Sequence, residues 1–301
     1  MPKIMADIAS FKHPKFAPLT LDFTFKKAFA NEQSTELLLF LLNTFLAEKL
    51  QSPIKKVSII NSERLGKTRF NRNAVFDVYC EDATGSRFIV EVQVDKQDYF
   101  IRRTFYYLCM IISNLAKKGK KYDFNIPKLY SISFLDFDLD FGKNCTEVVQ
   151  HLSIRNDKHL EVSYDMLQMT FVILPRFSKT ESECKSVMDK ILFAFKNGHR
   201  LKRAPKSFKE KELRDIFNIA EISNFTESEL YRYEAVMRNE YDQRACIAYA
   251  KKEGEVIGEA RGETKGLKKV ARNMLAKGYS ITEVIGMTSL SREQIRALSK
   301  G

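Results

Sequence analysis

Apolar side chains recur at three- and four-residue spacings from about Asp22 to Leu50, through Phe25, Phe29, Leu37, Leu41 and Phe45. That spacing puts them on one face of a helix. Asn31-Glu32-Gln33-Ser34 interrupts the run, so two helices are predicted, with Ser34 placed to cap the second. Apolar and β-branched runs then predict strands at Val57–Ile60, Ala74–Cys80, Phe88–Val94, Leu129–Phe134 and Met169–Leu174. A second helical pattern, Asp98–Lys118, lies between the third and fourth of these and stops at Gly119. Together they predict a mixed central β-sheet flanked by helices, α/β or α+β in class. The pattern does not order the strands. Beyond Leu174-Pro175 the strand patterns cease and the chain reads as helical.

Boundaries follow from these shifts. Residues 1–20 carry prolines and little periodicity and read as a loosely tied N-terminal arm, ahead of a mixed domain over 21–175. Residues 176–250 form a helical region whose first 40 positions hold 12 Lys+Arg and 6 Asp+Glu, either a solvated face or a phosphate-contacting one. Gly254, Gly258, Gly262 and Gly266 repeat at a four-residue period within 251–267. On a helix they make a stripe nearly free of side chains, which fits a homodimer contact or a flexible linker equally. Residues 268–301 read as a small helical module. Ser280-Ile-Thr-Glu283 and Ser291-Arg-Glu-Gln294 both have capping-box form. Two short capped helices have helix-turn-helix proportions, with Arg292 and Arg296 exposed on the second for DNA, although a plain helical hairpin satisfies the same pattern.

Composition narrows the chemistry. With 44% hydrophobic and 29% charged residues, the 301-residue chain is expected to be globular rather than disordered. Its long apolar run, Leu37–Leu42, falls far short of the roughly 18 residues of a membrane span. Lys3, Asp7, Lys12 and Lys15 leave no apolar core for a secretory signal. Cys80, Cys109, Cys145, Cys184 and Cys246 are too widely spaced for CxxC motifs, so reduced thiols and a cytoplasmic location are expected. Four scattered histidines exclude HExxH metal chemistry. Fifty Lys+Arg against 38 Asp+Glu give +12, a surplus that favours a polyanionic partner such as nucleic acid. Two apparent motifs fail. Gly66-Lys67-Thr68 lacks the Gly five residues earlier that a phosphate-binding loop needs, since Asn61 stands there, and no strand precedes the glycine repeat as a dinucleotide fingerprint requires.

Ala74–Cys80 and Phe88–Val94 flank Glu81-Asp-Ala-Thr-Gly85-Ser-Arg87, which predicts a β-hairpin. With the turn centred on Thr84, residues whose numbers sum to 168 face each other. Asp77 then lies opposite Glu91 on one face, Cβ atoms roughly 5 Å apart. Like charges at that distance repel unless a cation lies between them. A hard divalent ion such as Mg²⁺ suits two carboxylates, and Gln93 adds an amide one pleat on. An exposed acidic sheet face is the competing reading, and a one-residue shift of the turn would separate the pair.

An Asp on one strand and Glu-x-Gln on the next resemble the PD-(D/E)XK nuclease pattern. Asp22-Phe-Thr-Phe-Lys26-Lys-Ala-Phe29, Leu42-Asn43-Thr44-Phe45-Leu46 and Phe76-Asp77-Val78 with Gly85 narrow the resemblance. So do Val90-Glu91-Val92-Gln93, Phe100-Ile-Arg-Arg103-Thr-Phe-Tyr-Tyr107 and Ile126-Pro127-Lys-Leu-Tyr130-Ser-Ile132. In that order, over about residues 20–140, they resemble the recombination-promoting nuclease (Rpn) / PD-(D/E)XK nuclease family transposases. The resemblance implies a restriction-endonuclease-like core with a helical C-terminal region and a Mg²⁺-dependent DNA endonuclease in which Mn²⁺ substitutes. It makes Asp77, Glu91 and the Val92 carbonyl the metal ligands. Gln93 stands where the wider superfamily usually has Lys, able to orient water but not to carry charge. Asp22 is a further ligand or supporting acid, or simply a helix N-cap. Arg103 and Tyr107, four apart on a helix, reach phosphate or buttress the carboxylates, unless that face is aromatic packing. A DNA-binding or oligomerising protein with a degenerate site is the alternative, and Gln93 is its first sign.

Overall fold

The computed structural model describes residues 14–32, 35–60, 76–97, 99–115, 126–142, 144–160 and 163–299. Ser34, Ala74, Val75, Asp98, Lys118, Gly119 and Gly66–Thr68 lie outside the described residues. The chain divides into two compact units, Met1–Tyr233 and Glu234–Gly301. No helix among the described residues is long and apolar enough to cross a membrane.

The first unit opens with helices α1 (Asp22–Phe29) and α2 (Glu36–Phe45). Strands β1 (Val57–Ile59), β2 (Val78–Asp82) and β3 (Arg87–Gln93) follow, then helix α3 (Phe100–Leu115) and β4 (Leu129–Leu135). Strands β5 (Val149–Arg155) and β6 (Ser163–Ile173) complete a six-stranded sheet in the order β1-β2-β3-β4-β6-β5. Pairing is antiparallel at β1/β2, β2/β3 and β5/β6, and parallel at β3/β4 and β4/β6. The mixed sheet is therefore as expected. Every residue of β4 is buried, as a central parallel strand covered on both faces requires.

Two findings depart from the expectations. β5 has no counterpart among the predicted strands: Val149, Leu152 and Ile154 do not alternate, and the ladder is broken by a register shift between Ser153 and Ile154. β6 also starts at Ser163, well before Met169, because the polar Asp165 and Gln168 interrupt the apolar run in its first half. The expected loose arm is anchored over its described part. Ala17 N–H donates to the Ala220 carbonyl (2.8 Å), Ile222 N–H donates to the Lys15 carbonyl (3.0 Å), and Phe16 and Leu19 are buried.

One face of the sheet packs Val78, Cys80, Phe88, Val90, Ile132 and Phe134 against α1, α2 and the helices α4 (Val187–Asn197) and α5 (Lys211–Ala220). Phe134 stacks on Phe195 at 4.4 Å between centroids, with Phe25 and Phe45 beside them. On the opposite face α3 covers two separate apolar clusters. One gathers Phe76, Tyr79, Ile89, Leu108, Ile111 and Leu129; the other gathers Phe100, Leu135, Phe137 and Phe171. Between them the strands carry polar residues, Glu91, Gln93, Ser131 and Ser133, because side chains alternate along β3 and β4.

Helix α6 (Glu227–Ala276) contains the glycine repeat as continuous helix, and among the described residues a Cβ built at any of its four glycines meets nothing within 4 Å beyond its chain neighbours and the nearby backbone of the helix itself. In the second unit the chain leaves α6 through Gly278 in the left-handed region (φ 90°), where Gly278 N–H and Tyr279 N–H donate to the Leu275 and Met274 carbonyls. Helices α7 (Ile281–Thr288) and α8 (Arg292–Ser299) follow. Both expected capping boxes form: Ser280 N–H reaches Glu283 Oε2 at 2.8 Å, and Ser291 N–H reaches Gln294 Oε1 at 2.9 Å. Ala271, Val284, Leu290 and Ile295 make this unit's own core.

Candidate active site

The hairpin register places the acids. Val78 pairs with Val90, Tyr79 with Ile89 and Cys80 with Phe88, each pair summing to 168. Asp77 lies one residue before β2, just beyond the last pair of the ladder, and near enough to Glu91 for its charge to act on that carboxyl. Gly85 carries the turn at φ 85°, a conformation that suits a residue without a Cβ, and Asp82 Oδ1 accepts from the Thr84 and Ser86 N–H groups.

Asp77 is fixed from both sides. Its Oδ2 accepts from the Val92 N–H at 2.8 Å, and its Oδ1 lies 3.6 Å from Lys26 Nζ. Lys26 Nζ also sits 2.6 Å from Asp22 Oδ1, one helical turn earlier on α1. Burial pushes the Asp77 carboxyl up to about 7; the hydrogen bond and charge of Asp22 add to this, while the Val92 N–H and Lys26 oppose it. Burial likewise pushes Glu91 up to about 7, with the Asp77 charge reinforcing it and Arg103 opposing. Burial raises both acids, and a neighbouring carboxylate adds to each, Asp22 at Asp77 and Asp77 at Glu91, so the site gains from a cation.

Gln93 is oriented by its neighbour. Arg103 Nη2 donates to Gln93 Oε1 at 2.9 Å, and since a guanidinium only donates, the amide oxygen must face it. The amide NH₂ is then the end left for other partners. Arg103 also lies over the Phe100 ring, 5.0 Å from its centroid. Around these groups Ser131 and Ser133, the ladder partners of Ile89 and Glu91, are buried, as is Thr104 on α3. The Thr104 and Ser131 hydroxyls have no hydrogen-bond partner among the described residues, which marks the belt as polar space rather than packed core.

Of the sequence-derived candidates, Asp22, Asp77, Glu91, Val92, Gln93 and Arg103 come together. Tyr107 does not join them. It packs edge-on against Phe76, centroids 6.2 Å apart at 87°, within the apolar cluster, so the aromatic-packing reading holds for it. Its neighbours Arg102 and Tyr106 are exposed. Arg292 and Arg296 lie exposed on α8 of the second unit. Lys26 is the residue that reading for acids overlooked, although its four-residue spacing from Asp22 was visible.

Among the described residues no three of His, Cys, Asp and Glu form a metal-holding group. The donor set is thus not a closed cage. It fits Mg²⁺, which takes one or two carboxylates and completes its shell with water and substrate phosphate. Asp77 and Glu91, both raised by burial and a neighbouring carboxylate, are the two acids that would take that part.

Searches of curated proteins and of solved structures found no match. Two family profiles match. Residues 264–300 match the Rpn/YhgA-like nuclease family C-terminal HTH domain. Residues 19–250 match the PD-(D/E)XK nuclease family transposase. That match spans well over half of the chain and includes every residue of the paired-acid site, and the chain belongs to the PD-(D/E)XK nuclease family transposases.

Proposed function

We propose that this protein is a Mg²⁺-dependent DNA endonuclease. The observation that carries the reading is the pair Asp77 and Glu91, brought together at the base of the hairpin and both lifted to about 7, chiefly by burial, with the hydrogen bond and charge of Asp22 adding at Asp77 and the charge of Asp77 adding at Glu91. With the Val92 carbonyl, these residues would hold the ion, and Mn²⁺ would serve in its place. A divalent ion held there would polarise the scissile phosphate and lower the pKa of water. The chain's own groups do the rest. The Gln93 NH₂, its oxygen occupied by Arg103, donates to a phosphate oxygen or to a lone pair of the attacking water. Asp22 and Lys26 brace Asp77 from α1. In the reaction, a water oxygen bonds to phosphorus as one phosphorus–oxygen ester bond breaks. The water loses one proton and the leaving oxygen gains one.

DNA as substrate is supported by the net charge of +12 and by the helix-turn-helix match over 264–300. In this reading Arg292 and Arg296 contact the phosphate backbone, the first unit cleaves, and the reduced thiols suit the cytoplasm. A second reading, DNA binding without cleavage, is favoured by Gln93, which brings no positive charge to β3. Plasmid incubated with Mg²⁺ separates the two. Cleavage by the wild type that disappears in Asp77→Ala and Glu91→Ala supports the enzyme; binding with no cleavage, or cleavage indifferent to both substitutions, refutes it.

A further inference from the structure

Hydrolysis of a phosphodiester gathers negative charge on the phosphate, and a preorganised cation beside that charge stabilises it. Gln93 is neutral, and Arg103 is turned toward Gln93 Oε1 and lies over Phe100. Lys26 stands differently. Its ammonium lies between Asp22 and Asp77, at 2.6 and 3.6 Å, yet its side chain is 40% exposed, so a ligand arriving from solvent reaches it. An ammonium has three N–H donors; Asp22 at 2.6 Å engages one, and Asp77 at 3.6 Å lies at ion-pair distance. Helix α1 also has little freedom to move the group away. Thr24, Phe25, Ala28 and Phe29 are buried in the core, and the adjacent Lys27 pairs with Glu229 at 2.8 Å and lies over the Phe225 ring at 4.2 Å.

We propose that Lys26 is a catalytic residue of this site: its ammonium, positioned on α1 by Asp22 and Asp77, contacts the scissile phosphate and stabilises the charge that develops there. This rests on the nuclease reading above and adds the cation which Gln93 does not provide. An N–H not engaged by Asp22 donates to a non-bridging phosphate oxygen, while the hydrogen bond to Asp22 and the ion pair with Asp77 keep the ammonium in place. No proton leaves Lys26 in this role, so another fixed positive charge at this position retains part of it.

Lys26→Met and Lys26→Arg, measured beside the wild type and Asp77→Ala, test the assignment. Cleavage of plasmid in Mg²⁺ should fall on the order of a hundredfold in Lys26→Met. Part of that loss should be restored in Lys26→Arg. DNA affinity, measured in Ca²⁺ to prevent turnover, should stay within about threefold, because one phosphate contact among many is lost. Mn²⁺ titration of the DNA-free protein should show equal or tighter binding in Lys26→Met, since a cation competing for Asp77 has been removed. A loss of less than about tenfold overturns the proposal, as does a fall in Mn²⁺ affinity and melting temperature together, which would mark Lys26 as a structural brace. Wild type and Asp77→Ala that behave alike would instead overturn the nuclease reading itself, and this proposal with it.

Discussion

At the scale of the residue, the site is a deliberate conflict of charge. An acid whose folded-state pKa is raised binds its proton more tightly when folded than when unfolded. Stability contributed by that proton is full below the unfolded value and lost as pH rises toward the folded one. For Asp77 and Glu91 that window runs from about 4 up to about 7. The metal-free protein should therefore melt at progressively lower temperature between pH 5 and pH 8. Mn²⁺ should restore the loss at pH 8 and do little at pH 5, where protons already quench the repulsion; calorimetric scans with and without the ion check this. Asp77→Asn keeps an oxygen for the Val92 N–H and removes one charge. It should stabilise the metal-free protein at pH 8 by on the order of 1–2 kcal/mol while abolishing cleavage. A destabilised Asn variant would contradict the conflict. Lys26 shows the limit of reading residues in sequence. Its partner Asp22 is a helical neighbour, but Asp77 is 51 positions away, and only the docking of α1 beside the start of β2 joins them.

At the scale of the element, the hairpin was the most legible part. Alternation on both flanks and turn residues between them predicted the pairing sum, and the ladder follows it from Val78 to Glu81. Local chemistry sets the register here, so local sequence reveals it. The capped helices α7 and α8 were readable for the same reason. β5 was not, because an edge strand with a bulge needs no strict alternation and is held by its long partner β6. Two measurements belong at this scale. Gly85→Ala meets no neighbour within 4 Å but forces a Cβ into φ 85°. It should cost about 1 kcal/mol in urea denaturation and leave the acids opposed, with cleavage per folded molecule unchanged. Ser280→Ala removes the hydroxyl that accepts from the Glu283 N–H at 3.3 Å. It should destabilise α7 by about 1 kcal/mol, visible as faster amide exchange at the start of that helix and not in the β-sheet.

At the scale of the whole molecule, composition spoke to the partner and not to the fold. The surplus of +12 is spread along the chain, with both arginines of α8 in the second unit and the acids in the first. Phosphate-dominated binding predicts that affinity for a short duplex falls on the order of 10³-fold between 50 and 200 mM salt. Binding insensitive to salt would argue for another ligand. Strand order, the packing of α3 over two apolar clusters and the polar belt between them were beyond sequence patterns, since each depends on contacts between distant segments. The decisive measurement is anomalous scattering from a crystal soaked in Mn²⁺. A peak about 2.2 Å from carboxylate oxygens of both Asp77 and Glu91 is the predicted result. No peak there, or an ion bound elsewhere while these carboxylates point apart, would contradict the account.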